Sequence, residues 1–173
     1  MFMKIENFHF KNHSLPLGKK TYIMGILNVT PDSFSDGGKY NNLDKAVIHA
    51  LKMIEEGADI IDIGGESTRP NHIPVSTDEE LSRIMPVIEK LRLETDIPIS
   101  LDTQKSEVAL EGAKAGVDII NDIWGLQHDP KLADIAAQSG CGVIICHNRE
   151  KSGTVNTLIP QMMDFYKKSI EIA

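Results

Sequence analysis

Short apolar runs alternate with helix-periodic stretches from Tyr22 to the end of the chain, and this alternation narrows the fold more than any other feature. The runs are Tyr22 to Leu27, Ile60 to Ile63, Ile97 to Asp102, Val117 to Ile123 and Gly142 to Cys146. Each is brief, rich in Ile or Val and bounded by Gly, Asn or Asp, which suits parallel strands buried on both faces. Between the first two, Val47, Ala50, Leu51 and Ile54 recur at helical spacing within Leu43 to Glu56, and Gly57 closes that helix. Thr77-Asp78-Glu79-Glu80 reads as a capping box, with Glu80 returning a bond to the Thr77 amide; Leu81, Ile84, Val87, Ile88 and Leu91 follow as the buried face. Pro86 inside that helix removes one backbone bond and predicts a kink. Further helices are expected over Lys105 to Ala115, near Pro130 to Gln138, and over roughly Leu158 to Ile172. Ahead of the first strand, Lys4 to Phe10 and Lys19 to Ile23 predict a hairpin.

Repeated β-α units joined by right-handed crossovers make either an open doubly wound sheet or an eight-stranded barrel. No Gly-x-Gly-x-x-Gly follows the first strand, so the dinucleotide-binding sheet loses its main support. The expected fold is therefore α/β, a TIM (β/α)8 barrel. Residues 1–173 form one domain holding its first five units. A closed barrel needs eight units and about 250 residues, so the expectation is an incomplete barrel with strand edges left open and little or no activity by itself. With 41% hydrophobic residues the 173-residue chain can bury one sizeable core. Its net charge of −7 and its 18 scattered Lys and Arg residues argue against a nucleic-acid or anionic-membrane surface. No run of about 18 apolar residues occurs and Met1 to Lys20 lacks a signal-peptide core, so a cytoplasmic protein is expected. Cys141 and Cys146 read as reduced, buried thiols. A metal site made with the adjacent His147 would need more ligands.

The polar residues fall at strand ends, where ligands bind in α/β folds. Asn28 closes the first strand, Asp102 the third, Asn121 and Asp122 the fourth, and His147 and Asn148 the fifth. One such residue is ordinarily a cap or an Asx turn, but polar residues recurring at four of the five strand ends suggest a shared pocket. Asp102 accepts from N–H groups and Asn121 both donates and accepts, a pair suited to a flat, nitrogen-rich heterocycle. Two loops concentrate groups that hold anions: 28–38, with Phe34 and Asp36, and 64–70, with Glu66, Thr68, Arg69 and Pro70. Each position has a plainer reading: turn chemistry for Asp36, a solvated charge for Arg69, a cap or an Arg69 partner for Glu66.

The segments Met24-Gly25-Ile26-Leu27-Asn28-Val29-Thr30-Pro31-Asp32-Ser33-Phe34-Ser35-Asp36-Gly37-Gly38 and Asp62-Ile63-Gly64-Gly65-Glu66-Ser67-Thr68-Arg69-Pro70 resemble the two signature segments of the dihydropteroate synthase family. Ser100-Leu101-Asp102-Thr103 and Ile119-Ile120-Asn121-Asp122-Ile123 fall where that family has its third and fourth strand ends. The resemblance implies a (β/α)8 barrel that joins p-aminobenzoate to 6-hydroxymethyl-7,8-dihydropterin diphosphate and releases pyrophosphate in folate synthesis. It further implies that Asp102 and Asn121 bind the pterin, that Asn28 meets the diphosphate and its Mg2+, and that Phe34, Thr68, Arg69 and Pro70 close over p-aminobenzoate. Asp36 would stabilise the cationic pterin methylene, and Arg69 would pair with the departing diphosphate or with the benzoate carboxylate. The resemblance also implies a homodimer for the full-length protein. The segments on strands six to eight through which relatives make further pterin, benzoate and diphosphate contacts have no counterpart in this sequence, and Cys146 stands where many of them have Met. Two other readings stay open, a pterin-binding methyltransferase domain and a non-catalytic pterin-binding module.

Overall fold

A computed structural model describes residues 6–30, 39–67, 73–148 and 155–173, the side chains of 39–41, 155 and 156 excepted. Its elements in chain order are β1 (Asn7–Phe10), β2 (His13–Pro16), β3 (Met24–Asn28), α1 (Lys39–Glu55), β4 (Ile60–Gly64), α2 (Thr77–Glu94), β5 (Ile99–Asp102), α3 (Ser106–Lys114), β6 (Ile119–Asp122), α4 (Lys131–Ser139), β7 (Gly142–Ile145) and α5 (Val155–Ile172). Strands β3 to β7 pair in chain order, every pair parallel. Five consecutive β-α units on such a sheet are the barrel architecture expected from the alternation.

Strand side chains alternate between two faces, and the two faces have different partners. Leu27, Ile61, Ile63, Ile99 and Leu101 point outward and pack with Ala46, Val47 and Ala50 of α1 and Ile84, Val87, Ile88 and Leu91 of α2. This is the main core, and burying each Ile or Leu contributes about 1.5–3 kcal/mol. On the inner face, Ile60 and Ile119 instead meet Phe10, with Phe8, Leu15, Met24 and Ile144 packed around them. The β1–β2 hairpin thus covers the amino-terminal end of the inner face. Gly142 permits that contact, because a Cβ there would lie 2.6 Å from Phe8 Cζ and 3.1 Å from Phe10 Cβ.

Three local expectations are corrected. The hairpin pairs Asn7–Phe10 with His13–Pro16, not with Lys19 to Ile23; it turns at Lys11 and Asn12, where Lys11 adopts a positive φ of 42°. Helix α2 is capped by Ser76, whose hydroxyl accepts from the Glu79 amide at 3.2 Å, while Glu80 turns inward to an ion pair. The two thiols also differ: Cys141 is buried and Cys146 is exposed. The helix runs unbroken through Pro86.

Candidate functional site

Strand register builds the site. Asn28 pairs with Gly64, Gly64 with Asp102, and Asp102 with Asn121, so the four positions form one row across β3, β4, β5 and β6 at their carboxyl ends. All four share the inner face, because in-register neighbours of a parallel sheet point the same way. The pairing continues just past the row, with Val29 N donating to Gly64 O at 2.8 Å and Thr103 N to Asn121 O at 3.2 Å. Gly64 leaves the centre of the row empty of side chain. A Cβ there would come within 3.5 Å of Asp102 Oδ2 and 3.7 Å of Asn28 Oδ1, so anything larger would occupy the space between those oxygens.

Two residues below the row on the same face lies Asp62, which the sequence reading left out of the site. It is buried, and Asn121 Nδ2 donates toward its two oxygens at 3.2 and 3.3 Å. Those bonds fix the Asn121 amide, whose Oδ1 is buried and unpartnered among the described residues. An acid inside the apolar run Ile60-Ile61-Asp62-Ile63 was the available signal, since an isolated buried carboxylate is costly without a role.

Among the described residues, carboxylates accumulate here with little cationic balance. Burial, then the negative charges of Asp62, Glu80, Asp122 and Glu66, push the Asp102 carboxyl up to about 7. Burial also raises Asp62, against the hydrogen bonds that favour its anion. Although Cys146 is exposed overall, partial burial of its thiol raises its pKa, helped by the charges of Asp102, Asp122 and Asp62, which makes it a poor nucleophile. A carboxyl poised near neutrality can accept from an N–H edge as an anion or donate to a ring nitrogen as an acid.

The other rim residues divide. Asp122 faces outward and accepts from Trp124 N at 2.9 Å and Leu126 N at 2.6 Å, so it shapes the turn after β6, where Leu126 has a φ of 66°. His147 sits edge-on to Phe165 with ring centroids 5.0 Å apart, a packed rim histidine. Glu66 is buried against Lys105. Phe34, Asp36, Thr68, Arg69 and Pro70 lie outside the described residues.

Residues 24–173 match the pterin-binding enzyme family. The dihydropteroate synthase of Bacillus subtilis is 55% identical over 165 residues, which is 95% of this chain and 58% of that protein. A solved dihydropteroate synthase of Clostridium difficile, crystallised in the presence of pteroic acid, superposes with a TM-score of 0.86 at 55% identity, covering 90% of this chain and 59% of its own. The Xanthomonas albilineans enzyme, solved with 4-aminobenzoic acid, gives 0.86 at 39% identity, covering 95% and 60%. The chain therefore spans less than two thirds of the length of each of these relatives. On the family match over 24–173 and these identities, the chain belongs to the pterin-binding enzyme family, in which its relatives are dihydropteroate synthases.

Proposed function

We propose that the protein carrying this sequence is a dihydropteroate synthase, joining p-aminobenzoate to 6-hydroxymethyl-7,8-dihydropterin diphosphate with loss of pyrophosphate. The observation that carries the reading is the in-register row Asn28–Gly64–Asp102–Asn121 with its centre kept open by glycine. A flat heterocycle laid across Gly64 meets the Asp102 carboxyl and the Asn121 amide together. Because Asp62 holds the Asn121 Nδ2, the amide cannot rotate freely as the ring arrives, and the geometry is set before binding.

Asn28 is exposed at the outer end of the row, which suits the diphosphate. Among the described residues no cluster of three His, Cys, Asp or Glu side chains could enclose a metal. A single amide oxygen nevertheless fits Mg2+, which keeps several waters and shares phosphate oxygens with its substrate. Bound there, Mg2+ would neutralise charge on the departing diphosphate. Asp36 would stabilise the pterin methylene as it becomes cationic, and Arg69, with its bidentate fork, would hold the pyrophosphate or the benzoate carboxylate. Phe34, Thr68 and Pro70 would enclose the amine that attacks. No side chain need act as a nucleophile. A cytoplasmic homodimer goes with the same reading. No helix of the described residues is long and apolar enough to cross a membrane.

The test is pyrophosphate release from the two substrates by the protein in its full natural length, with Asp102→Asn and Asn121→Ala as variants. Turnover that falls at least tenfold in each variant is expected. Tight binding of methyltetrahydrofolate with no pyrophosphate released would favour a methyltransferase domain instead.

A further inference from the structure

The hydrogen bond that holds the Asn121 amide skips a strand. In the register Asn121 of β6 stands opposite Asp102 of β5, and Asp62 of β4 stands opposite Ser100, two residues earlier on β5. Asn121 Nδ2 nevertheless lies 3.2 and 3.3 Å from the two Asp62 oxygens. Asp62 is 4% exposed, so little water competes for these bonds. A carboxylate supplies acceptors and no donor, and the amide can therefore face it only with its nitrogen. The two polar atoms of an amide diverge from one trigonal carbon, which turns Oδ1 away from Asp62. That oxygen is buried, with no hydrogen-bond partner among the described residues. Buried acceptors are rarely left so in folded proteins, and the missing donor is one that a ligand can bring.

Pinning the amide makes it a reader of polarity. An asparagine free to rotate about its last torsion offers either N–H or C=O and tolerates either kind of ligand edge. One held by a carboxylate keeps offering its oxygen. Discrimination then comes from the edge it rejects, because a carbonyl set against Oδ1 would bring two acceptors together with no proton between them. A pterin carries an amino group at C2 with an unprotonated ring nitrogen beside it. Exchanging that amino group for oxygen, which gives a lumazine, reverses both: the donor becomes an acceptor and the neighbouring ring nitrogen becomes an N–H.

We infer that Asp62 is a positioning residue that fixes the polarity of the Asn121 amide, so that the site selects a heterocycle edge bearing an amino donor over the same edge bearing a carbonyl. The inference rests on the synthase reading, in which that heterocycle is the pterin diphosphate. Asp62 acts through Asn121 and needs no contact with the ring. Its negative charge also bears on Asp102, an influence that has to be separated from the orientation of the amide.

The experiment is calorimetric titration of the protein in its full natural length with 6-hydroxymethyl-7,8-dihydropterin diphosphate and with its 2-oxo counterpart, the lumazine, read as the ratio of the two Kd values. The parent should prefer the pterin at least about a hundredfold. Asp62→Asn keeps the shape but can turn either its oxygen or its nitrogen toward Asn121, and because burial already disfavours the Asp62 anion the neutral isostere should fold. Its preference for the pterin should fall about tenfold or more. Exchanging the pair, Asp62→Asn together with Asn121→Asp, puts the acceptor-only carboxylate at position 121 and should return the preference to within about threefold of the parent or above it. The fall should persist, within about threefold, when Asp62→Asn is made in an Asp102→Asn background, where no Asp102 charge is left for Asp62 to act on. An unchanged ratio in Asp62→Asn overturns the inference, and so does a fall that vanishes in the Asp102→Asn background or that the exchange fails to reverse. If Asp62→Asn does not fold, Asp62→Ser decides by the same ratio, since a hydroxyl can donate or accept and leaves the amide equally free to turn. Absence of pterin diphosphate binding by the unaltered protein would instead sink the synthase reading, so the two failures are distinguishable.

Discussion

At the amino-terminal end of the inner sheet face, Phe8, Phe10 and Leu15 close over Met24, Ile60, Ile119 and Ile144; at the carboxyl end, the same strands present Asn28, Asp62, Asp102 and Asn121. The ends also treat acidic charge differently. Asp118, just ahead of β6, is 5% exposed, yet Arg92 donates to it at 2.6 Å, Ile99 N at 3.0 Å, and His13 lies 3.6 Å away. Asp62 and Asp102 face other carboxylates, and the nearby Lys105 is committed to Glu66 and Glu80. One end is arranged so that its buried acid has a cation and its inner-face apolar side chains a cover. The other gathers buried acids with no cation of their own among the described residues, which on the proposed reading suits a ligand that brings donors and positive charge. Strands four or five residues long therefore carry a packed core at one tip and the candidate site at the other.

The largest effect that would break this comparison is at the sealed end. Arg92 also donates to Thr95 O at 3.3 Å, Ile97 O at 3.0 Å and Gly116 O at 2.8 Å, so it ties α2 to both the β5 and the β6 approaches. Arg92→Ala leaves Asp118 buried without its cation. A loss of about 3–5 kcal/mol is expected in urea unfolding, with pterin affinity of the folded fraction unchanged. A loss below about 1 kcal/mol would mean that the amino-terminal charges are no better paired than those at the rim.

At the open end the corresponding change should have the opposite sign. The Asp102 carboxyl titrates near 7 in the folded chain against an ordinary 3.8, so the folded state binds its proton more tightly than the unfolded state does. The penalty of ionising it is absent below about pH 4, grows through the interval, and is complete above about pH 7. Asp102→Asn should then stabilise the protein by a few kcal/mol at pH 8, with about 4 as the ceiling, and by less at pH 5. Binding of the pterin should weaken in the same variant. Unfolding curves at the two pH values check the sign, and a destabilised variant at pH 8 would show that Asp102 is structural.

Much of this division was legible in the chain itself, for identifiable reasons. Parallel strands buried on both faces read as unbroken apolar runs, and all five were found, with their helices, to within a few residues. Asn28, Asp102 and Asn121 stood out because a polar residue ending such a run has few structural reasons to be there. What escaped depended on tertiary partners. Glu80 has the spacing of a capping-box residue, and only the proximity of Lys105 turns it inward. Asp62 lies within an apolar run whose period does not reveal which face is polar. The hairpin partner also escaped, because its turn is made by Lys11 and Asn12, with no glycine or proline to mark it.

The smaller effects come as a matched pair of glycines, one at each end of the inner face. Gly142→Ala places a methyl group 2.6 Å from Phe8 Cζ and 3.1 Å from Phe10 Cβ. The hairpin must shift, and a cost of about 1–3 kcal/mol is expected, as for other overpacked cores. Gly64→Ala places its methyl 3.5 Å from Asp102 Oδ2 and 3.7 Å from Asn28 Oδ1, ordinary contact distances, and a strand alanine loses less backbone entropy on folding than glycine. Its stability should therefore change by no more than about 0.5 kcal/mol in either direction. Its ligand affinity should not survive so easily, because the methyl occupies the space between the two oxygens where the proposed reading lays the heterocycle and its diphosphate. Calorimetric titration of both alanine variants with the pterin diphosphate distinguishes the ends most directly: Gly142→Ala is less stable but binds, and Gly64→Ala is as stable as its parent but binds at least tenfold more weakly. If Gly64→Ala bound as tightly as the parent, the open centre of the row would be a packing accident, and the ligand would have to lie somewhere other than between Asn28 and Asp102.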